Sequence, residues 1–369
     1  MANENKGITL AQIRNGAKKF VLDNSTKSDS IKAVQTALRV LGFWGSTDNP
    51  DGIFGSYSVA ATRGYQNENG ITVTGNLDKQ TLTSIERSTG TLYEGHSTTP
   101  SINHISKGLD YAKLGDTGSG IKTITSKLKT LGFLTTTKTT FDDSVKTAVG
   151  KFQKQNGLTV DYTVGQVTYA VLLYPSTDNW LSNGRVKLTS GMLARCGFNC
   201  TLLLPTFVSK MNLAMNNYGI NTKVKVRHFL TQVCAETSNG YGILEGGYKA
   251  GDGVYNGNTL RSYSPFGGAG FLHLTHSATY KKFGAKMGDT KIYNPEKYAM
   301  QHVATAYSDK SAGWFWRDEG KIDSKVDWTG SVDTIGTEVT RIITGSPNPA
   351  TKWANERKKY YNIICGVLL

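Results

Sequence analysis

The chain has 369 residues, 38% hydrophobic and 10% aromatic, with 42 Lys and Arg against 28 Asp and Glu for a formal charge of +14. That length and apolar content exclude a disordered chain and leave room for two or three domains, each with its own core. The positive surplus suits a polyanionic partner, nucleic acid or an anionic cell wall alike, but the basic residues are spread singly, without an arginine-rich arm or basic helix, which argues for the wall and against nucleic acid.

Residues 1–28 form a leader with a candidate helix from Leu10 to Phe20. Its opening, MANENKGITLAQ, lacks the basic start and continuous apolar run of a signal peptide, and no segment is long enough to cross a bilayer. The expectation is a monomer made and folded in a cytoplasm, with no stable membrane insertion. An internal repeat follows. SIKAVQTALRVLGF at Ser30–Phe43 matches GIKTITSKLKTLGF at Gly120–Phe133, and GYQNENGITVTG at Gly64–Gly75 matches KFQKQNGLTVDY at Lys151–Tyr162.

Each copy predicts three short helices. The first carries Ile31, Val34, Leu38 and Leu41, or Ile121, Ile124, Leu128 and Leu131, on one stripe and stops at Gly42 or Gly132. The second spans about Ser56–Asn67 or Asp143–Gln155, and the third Leu77–Ile85 or Val164–Leu173. Two small three-helix bundles at 29–87 and 113–175 result, joined by a Ser-, Thr- and Gly-rich linker over 88–112.

The repeat resembles the peptidoglycan-binding type 1 domain, with LGF, then DGIFG at Asp51–Gly55, then YQNENGI in the first copy. The second copy keeps LGF and FQKQNGL but has TTFDD in place of the Asp-Gly turn, so its loop is degenerate. Phe54, Phe141, Tyr65 and Phe152 are expected in the cores, aromatics at helical spacing usually packing inward. The loop residues Asp51 and Gly52 and an exposed Trp44 are the expected glycan contacts. The resemblance implies peptidoglycan as partner, and two weak modules would raise the effective concentration of the chain at a polymeric wall.

A polar boundary near Tyr174–Asn183 leads into an α-rich domain over 184–369. Helices are expected at Pro205–Tyr218, over the stretch beginning Arg227, and at Pro295–Asp309, with Trp314 and Trp316 assigned to packing ahead of sugar stacking. Val226, Phe229, Leu230, Val233 and Cys234 form an apolar stripe with Glu236 at its edge; Glu245 follows beyond a Ser-Asn-Gly turn. A carboxyl group against apolar side chains resists ionisation and can donate a proton, whereas one on a polar glycine-rich loop stays charged, and glycoside hydrolysis uses such an unequal pair.

Here the sequence resembles the family 19 glycoside hydrolases, the chitinase class I group, in their phage and bacterial lysin branch. The family phrases FLAQ-x-x-HE-[ST]-x-G and G-[RA]-G-x-I-Q-L-[ST]-x-x-x-x-Y correspond to FLTQVCAETSNG at Phe229–Gly240 and GAGFLHLTHSATY at Gly268–Tyr280. The resemblance implies a lysozyme-like domain in which Glu236 is the general acid, Glu245 the base and Thr275 a holder of the attacking water. His273, Tyr280, Thr344 and Arg357 would lie about the substrate. The chain departs from the pattern at Ala235 for His, Ala269 for Arg, His273 for Gln and Thr344 for Asn, which bears on sugar specificity.

The mainly α chain is therefore expected to be an endolysin. It would cut the β-1,4 bond between N-acetylmuramic acid and N-acetylglucosamine by inversion, without metal or other cofactor, and reach the wall after holin-dependent release. A chitinase, or an inactive wall-binding or virion protein, are the alternatives. The four cysteines, all in the C-terminal half, are expected as free thiols, with Cys234 buried. Cys196 and Cys200 lack a second pair for zinc, and no HExxH motif points to a zinc amidase or peptidase.

Overall fold

The computed structural model describes residues 4–45, 49–246 and 265–369. The protein is mainly helical; the named strands among the described residues are a two-stranded hairpin, Leu181–Ser182 with Arg185–Val186. The repeat folds as its periodicity predicts. Helices Asp29–Val40, Ser56–Glu68 and Lys79–Thr89 make the first bundle, and Ser119–Thr130, Asp143–Gln155 and Gln166–Leu173 the second. Side chains that satisfy unpaired first-turn amides start several of them: the Ser28 hydroxyl accepts from Ile31 N, and the Asp78 and Asp142 carboxylates cap the helices that follow. Phe54, Tyr65, Phe141 and Phe152 are core residues, as expected.

The leader and the linker differ from their sequence reading. The leader helix is only Leu10–Arg14, ending before Gly16 at φ +83°. Ile8, Leu10, Ile13 and Phe20 enter the core of the first bundle, Phe20 pairs with Leu77 in a β-bridge, and Arg14 forms an ion pair with Glu86 at 2.7 Å. The leader is thus part of the first module. The linker, rich in Ser, Thr and Gly, is packed. Its Leu92 and Ile105 are buried, Ile102–Lys107 is helical, and His96 stands between Asp110 at 2.8 Å and Asp116 at 2.9 Å. Burial alone would lower the His96 pKa, but the two carboxylates raise it above its ordinary value.

The apolar core of the second bundle runs without interruption into that of the C-terminal domain. There the Lys223–Glu236 helix is central, its Val226, Phe229, Leu230, Val233 and Cys234 all fully buried. It packs against Val332–Thr344 and Lys358–Val367. Pro205 opens the Pro205–Asn217 helix at its first turn, where no amide is needed. The helix expected over Pro295–Asp309 divides at Tyr307 into Glu296–Ala306 and Ser308–Trp314. Trp314 and Trp316 are buried, Trp316 completely, which places them in packing. The four cysteines are unbridged, with Cys196 and Cys234 buried and their thiol pKa values pushed up by desolvation.

Candidate active site

Glu236 is the last residue of the Lys223–Glu236 helix, where the chain leaves the apolar stripe; Ser238 and Asn239 then turn it through left-handed backbone at φ +50° and +62°. One carboxylate oxygen, Oε1, accepts from Arg357 Nη2 at 2.6 Å. Arg357 is only 3% exposed, and it also donates from Nε to Gln232 Oε1 at 2.8 Å and from Nη1 to Glu356 at 2.8 Å. Gln232 in turn donates to Thr340 Oγ1 at 3.1 Å. Gln232 and Glu236 lie four residues apart, on one helix face, so a single guanidinium reaches both. Arg357 ends a wide π-turn, Trp353–Arg357, before the helix resumes at Lys358. Such turns re-aim side chains and recur at functional sites.

Glu245 is held from the other side by the glycine-rich segment. Its amide donates to Gly268 O at 2.8 Å, its Oε2 accepts from Gly268 N at 2.8 Å, and Leu244 bridges Ala269. Ala269 then pairs with Leu274, so residues 268–275 fold as a tight antiparallel turn beside Glu245. The glycines are needed for this closeness. A β-carbon at position 267 would lie 3.2 Å from Glu245 Oε2, and one at 268 only 2.8 Å from the β-carbon of His273.

His273 stands at the end of that turn, in left-handed backbone at φ +49° that costs a β-carbon-bearing residue about 1–3 kcal/mol. Its Nδ1 is 4.0 Å from Glu236 Oε2, and its buried Nε2 has no hydrogen-bond partner among the described residues. Desolvation lowers its pKa, with the charges of Glu236 and Glu245 opposing, so at neutral pH the ring is uncharged. Both carboxylates act on this one imidazole, which makes it the residue that links them. Thr275 Oγ1 donates to the His273 carbonyl at 3.2 Å.

Tyr280 is completely buried and donates to Gly267 O at 2.7 Å; it supports the glycine-rich segment from beneath, so a direct sugar contact is out of its reach. Thr344 ends its helix one turn beyond Thr340, donating to the Thr340 carbonyl at 2.8 Å. Arg357 and His273 thus both approach Glu236, at 2.6 Å and 4.0 Å, Glu245 lies beside the segment that carries His273, Thr275 bonds the His273 carbonyl, and Thr344 joins the network through Thr340. Gln232, Gly268 and Glu356 belong to the same network. Gln232 was legible in principle, as the Gln four residues before the acid in FLTQVCAE. Among the described residues no group of three His, Cys, Asp or Glu is placed to hold a metal ion.

In the first module Gln35 pins the Asp-Gly turn, donating to Asp51 Oδ1 at 2.8 Å and accepting from Gly52 N at 2.7 Å. Gly52 has φ +83°, and a β-carbon there would press on the Ser28 carbonyl at 3.0 Å. Asp51, Gln35, Tyr57 and Trp44 line a hollow of about 440 Å³. Trp44 corrects the expectation of exposure: it is only 4% exposed and belongs to the apolar core of the first module. In the second module Thr125 occupies the place of Gln35 and its hydroxyl holds the Lys138 backbone instead.

Residues 27–85 and 117–172 each match the model of a family described as a putative peptidoglycan binding domain, so the repeat is two copies of one domain. No curated protein matches the chain. Among solved structures, it is similar to chitinase C from Streptomyces griseus HUT6037, at 16% identity over 48% of this chain and 76% of that one, with a TM-score of 0.33. It is also similar to an endolysin of the Burkholderia phage AP3, at 14% identity over 70% of this chain and 98% of that one, with a TM-score of 0.24. No helix among the described residues is long and apolar enough to cross a membrane.

Proposed function

We propose that the chain is an endolysin-type peptidoglycan hydrolase that cuts the β-1,4 bond between N-acetylmuramic acid and N-acetylglucosamine. The observation that carries this reading is a pair of carboxylates about one glycine-rich turn, Glu236 4.0 Å from His273 and Glu245 bonded to Gly268 beside it, in a chain with two matches to a putative peptidoglycan binding domain. Arg357 occupies Glu236 Oε1, which leaves Oε2 as the oxygen to carry a proton to the leaving group. Glu245, fixed by the Gly268 amide, is the carboxylate that deprotonates a water, with the Thr275 hydroxyl helping to place it. Neutral His273 can hydrogen-bond a sugar amide or the water without adding charge. The chemistry asks for no metal ion. Inversion would set the two carboxyl groups about 6.5–9.5 Å apart, leaving room for the water.

Arg357 tests the positioning of the acid. Replacing Arg357 by Lys keeps a cation but loses the fork that spans Gln232 and Glu236. We expect kcat on peptidoglycan fragments to fall by about 10–100-fold with little change in KM, the pattern of an interaction needed mainly in the transition state. An unchanged kcat would show that the Glu236 rotamer does not depend on this ion pair.

The bond is tested by digesting purified peptidoglycan and chitin side by side, with mass spectrometry of the products. Disaccharide-peptides ending in reducing muramic acid are the expected result; ends in reducing N-acetylglucosamine, or faster cutting of chitin, would replace the muramidase assignment. One observation favours a second reading, a wall-binding protein with a silent site: Glu236 is already engaged by Arg357. Binding to both polymers with cleavage of neither would establish it.

A further inference from the structure

The two modules share a motif but differ in what covers it. In the second module, the Leu-Gly-Phe corner is open: a β-carbon at Gly132 would meet nothing within 4 Å. In the first, the same corner is pressed against the C-terminal domain: a β-carbon at Gly42 would lie 3.2 Å from Ile243 and 3.7 Å from Phe207. Just past it, Gly45 lies alongside Leu244 in a parallel β-bridge, and Leu244 is the residue before Glu245. The extended segment that carries Glu245 is therefore flanked at Leu244 by Ala269 on one side and by the first module on the other. The contact continues outward, with the Arg39 guanidinium over the Tyr241 ring at 5.5 Å and Thr201 Oγ1 donating to the Arg39 carbonyl at 2.9 Å.

A second contact braces the first. The Ser56–Glu68 helix packs on Glu296–Ala306 at Gly64, where a β-carbon would sit 2.8 Å from Gln301 Cγ. One turn on, His302 bridges Glu68 of the module, at 2.9 Å, and Asp289 of the C-terminal domain, at 2.8 Å. The repeat makes these differences interpretable. The second module has an exposed Lys151 where the first has Gly64, and Gln155 where the first has Glu68. A three-helix bundle of this kind thus accommodates a long side chain at that position, and the glycine answers to the neighbouring domain.

We propose that the first module is a positioning part of the hydrolytic site: its Gly42–Gly45 corner, braced at Gly64 and Glu68, holds the Leu244–Glu245 segment in register with Gly268. This deepens the hydrolase reading and rests on Glu245 being the base. The module therefore does more than bring the enzyme to the wall, because catalysis depends on its being docked.

The test uses the full chain carrying Gly64→Lys, the residue that the second module has at this position, with Glu68→Gln as a milder variant. The substrate is a short soluble peptidoglycan fragment, for which wall targeting is irrelevant. The expected result is a fall in kcat of about 10-fold or more for Gly64→Lys with KM nearly unchanged, and a smaller fall for Glu68→Gln. Sedimentation with purified sacculi should be unaltered, and amide hydrogen exchange should accelerate at Leu244 and Glu245 but not within the Asp29–Val40 helix. Native kcat together with native exchange at Leu244 and Glu245 would overturn the proposal. So would faster exchange without loss of kcat in a native enzyme that cuts. If the native protein cuts nothing, the hydrolase reading fails by itself, and the exchange result alone decides whether the module holds this segment.

Discussion

Glu236→Gln should leave a folded protein that binds sacculi and releases reducing ends at a rate lower by about 10³-fold or more, general acid catalysis by a placed carboxyl being worth about 10²–10⁴. Gln keeps the shape of the side chain and can still offer its carbonyl oxygen to Arg357, which donates to Glu236 at 2.6 Å in the native protein. What it cannot do is deliver a proton to a departing sugar oxygen. The loss should therefore fall on kcat, with binding to sacculi unchanged. Glu245→Gln should cost a comparable factor for a different reason, the loss of the base. Its carbonyl oxygen can still accept from Gly268 N–H, which now donates to Glu245 Oε2 at 2.8 Å, so the glycine turn should keep its shape. Retention of native turnover by Glu236→Gln would remove the acid from the mechanism.

His228 sets the second large effect, one on stability. It lies on the Lys223–Glu236 helix, fully buried among Trp353, Tyr361 and Trp328, with neither ring nitrogen hydrogen-bonded among the described residues. Desolvation pushes its pKa down to about 3. In the unfolded chain a histidine titrates near 6.5. Between those values the unfolded state binds the extra proton, so stability is full above about pH 6.5 and falls as the pH drops through the window, by on the order of 5 kcal/mol in all. His96 and His302, held above their ordinary values by carboxylates, act on the other side: their contribution is present below about 6.5 and is lost as the pH rises through their folded values.

His228→Phe keeps an aromatic ring of similar size in the cluster and removes the titration. At pH 7.5 the variant should unfold within about 1.5 kcal/mol of the native protein, as volume-conserving core exchanges do. At pH 4.5 it should have lost roughly 2–3 kcal/mol less than the native protein has, two units of the window at about 1.4 kcal/mol each. Urea unfolding followed by tryptophan fluorescence at both pH values measures this. Equal losses in both proteins would assign the acid sensitivity to other groups.

The helices were legible where one physical constraint acts alone. Ile31, Val34, Leu38 and Leu41 show a period that only a helix buries on one side, and the repeat with its glycine stops made the two bundles plain. Glu236 was legible as an acid at the edge of an apolar stripe. What stayed hidden depends on partners distant in the chain. Trp44 reads as exposed because it lies past the helix stop at Gly42, outside any periodic stripe, and nothing near it in sequence says that the chain folds it back into the first module's core. The segment 88–112 reads as a linker because it is rich in Ser, Thr and Gly, while the structure packs it through buried Leu92 and Ile105 and through Asp110, which accepts from Tyr93 and lies 2.8 Å from His96. The leader offered Leu10, Ile13 and Phe20 without showing which core would take them. Arg357 could be matched to a family position, but its fork across Gln232 and Glu236 needs the π-turn, which no periodicity announces.

The most direct test of the paired-carboxylate mechanism is the anomeric form of the first product. Proton NMR of a soluble peptidoglycan oligomer during digestion should show the α-anomer of the new reducing sugar appearing first and relaxing to the equilibrium mixture, as expected if Glu245 activates a water on the face opposite the leaving group. The β-anomer appearing first would mean a double displacement, by a carboxylate or by the sugar's own acetamido oxygen, and would contradict the roles of Glu245 as base and Thr275 as holder of the water.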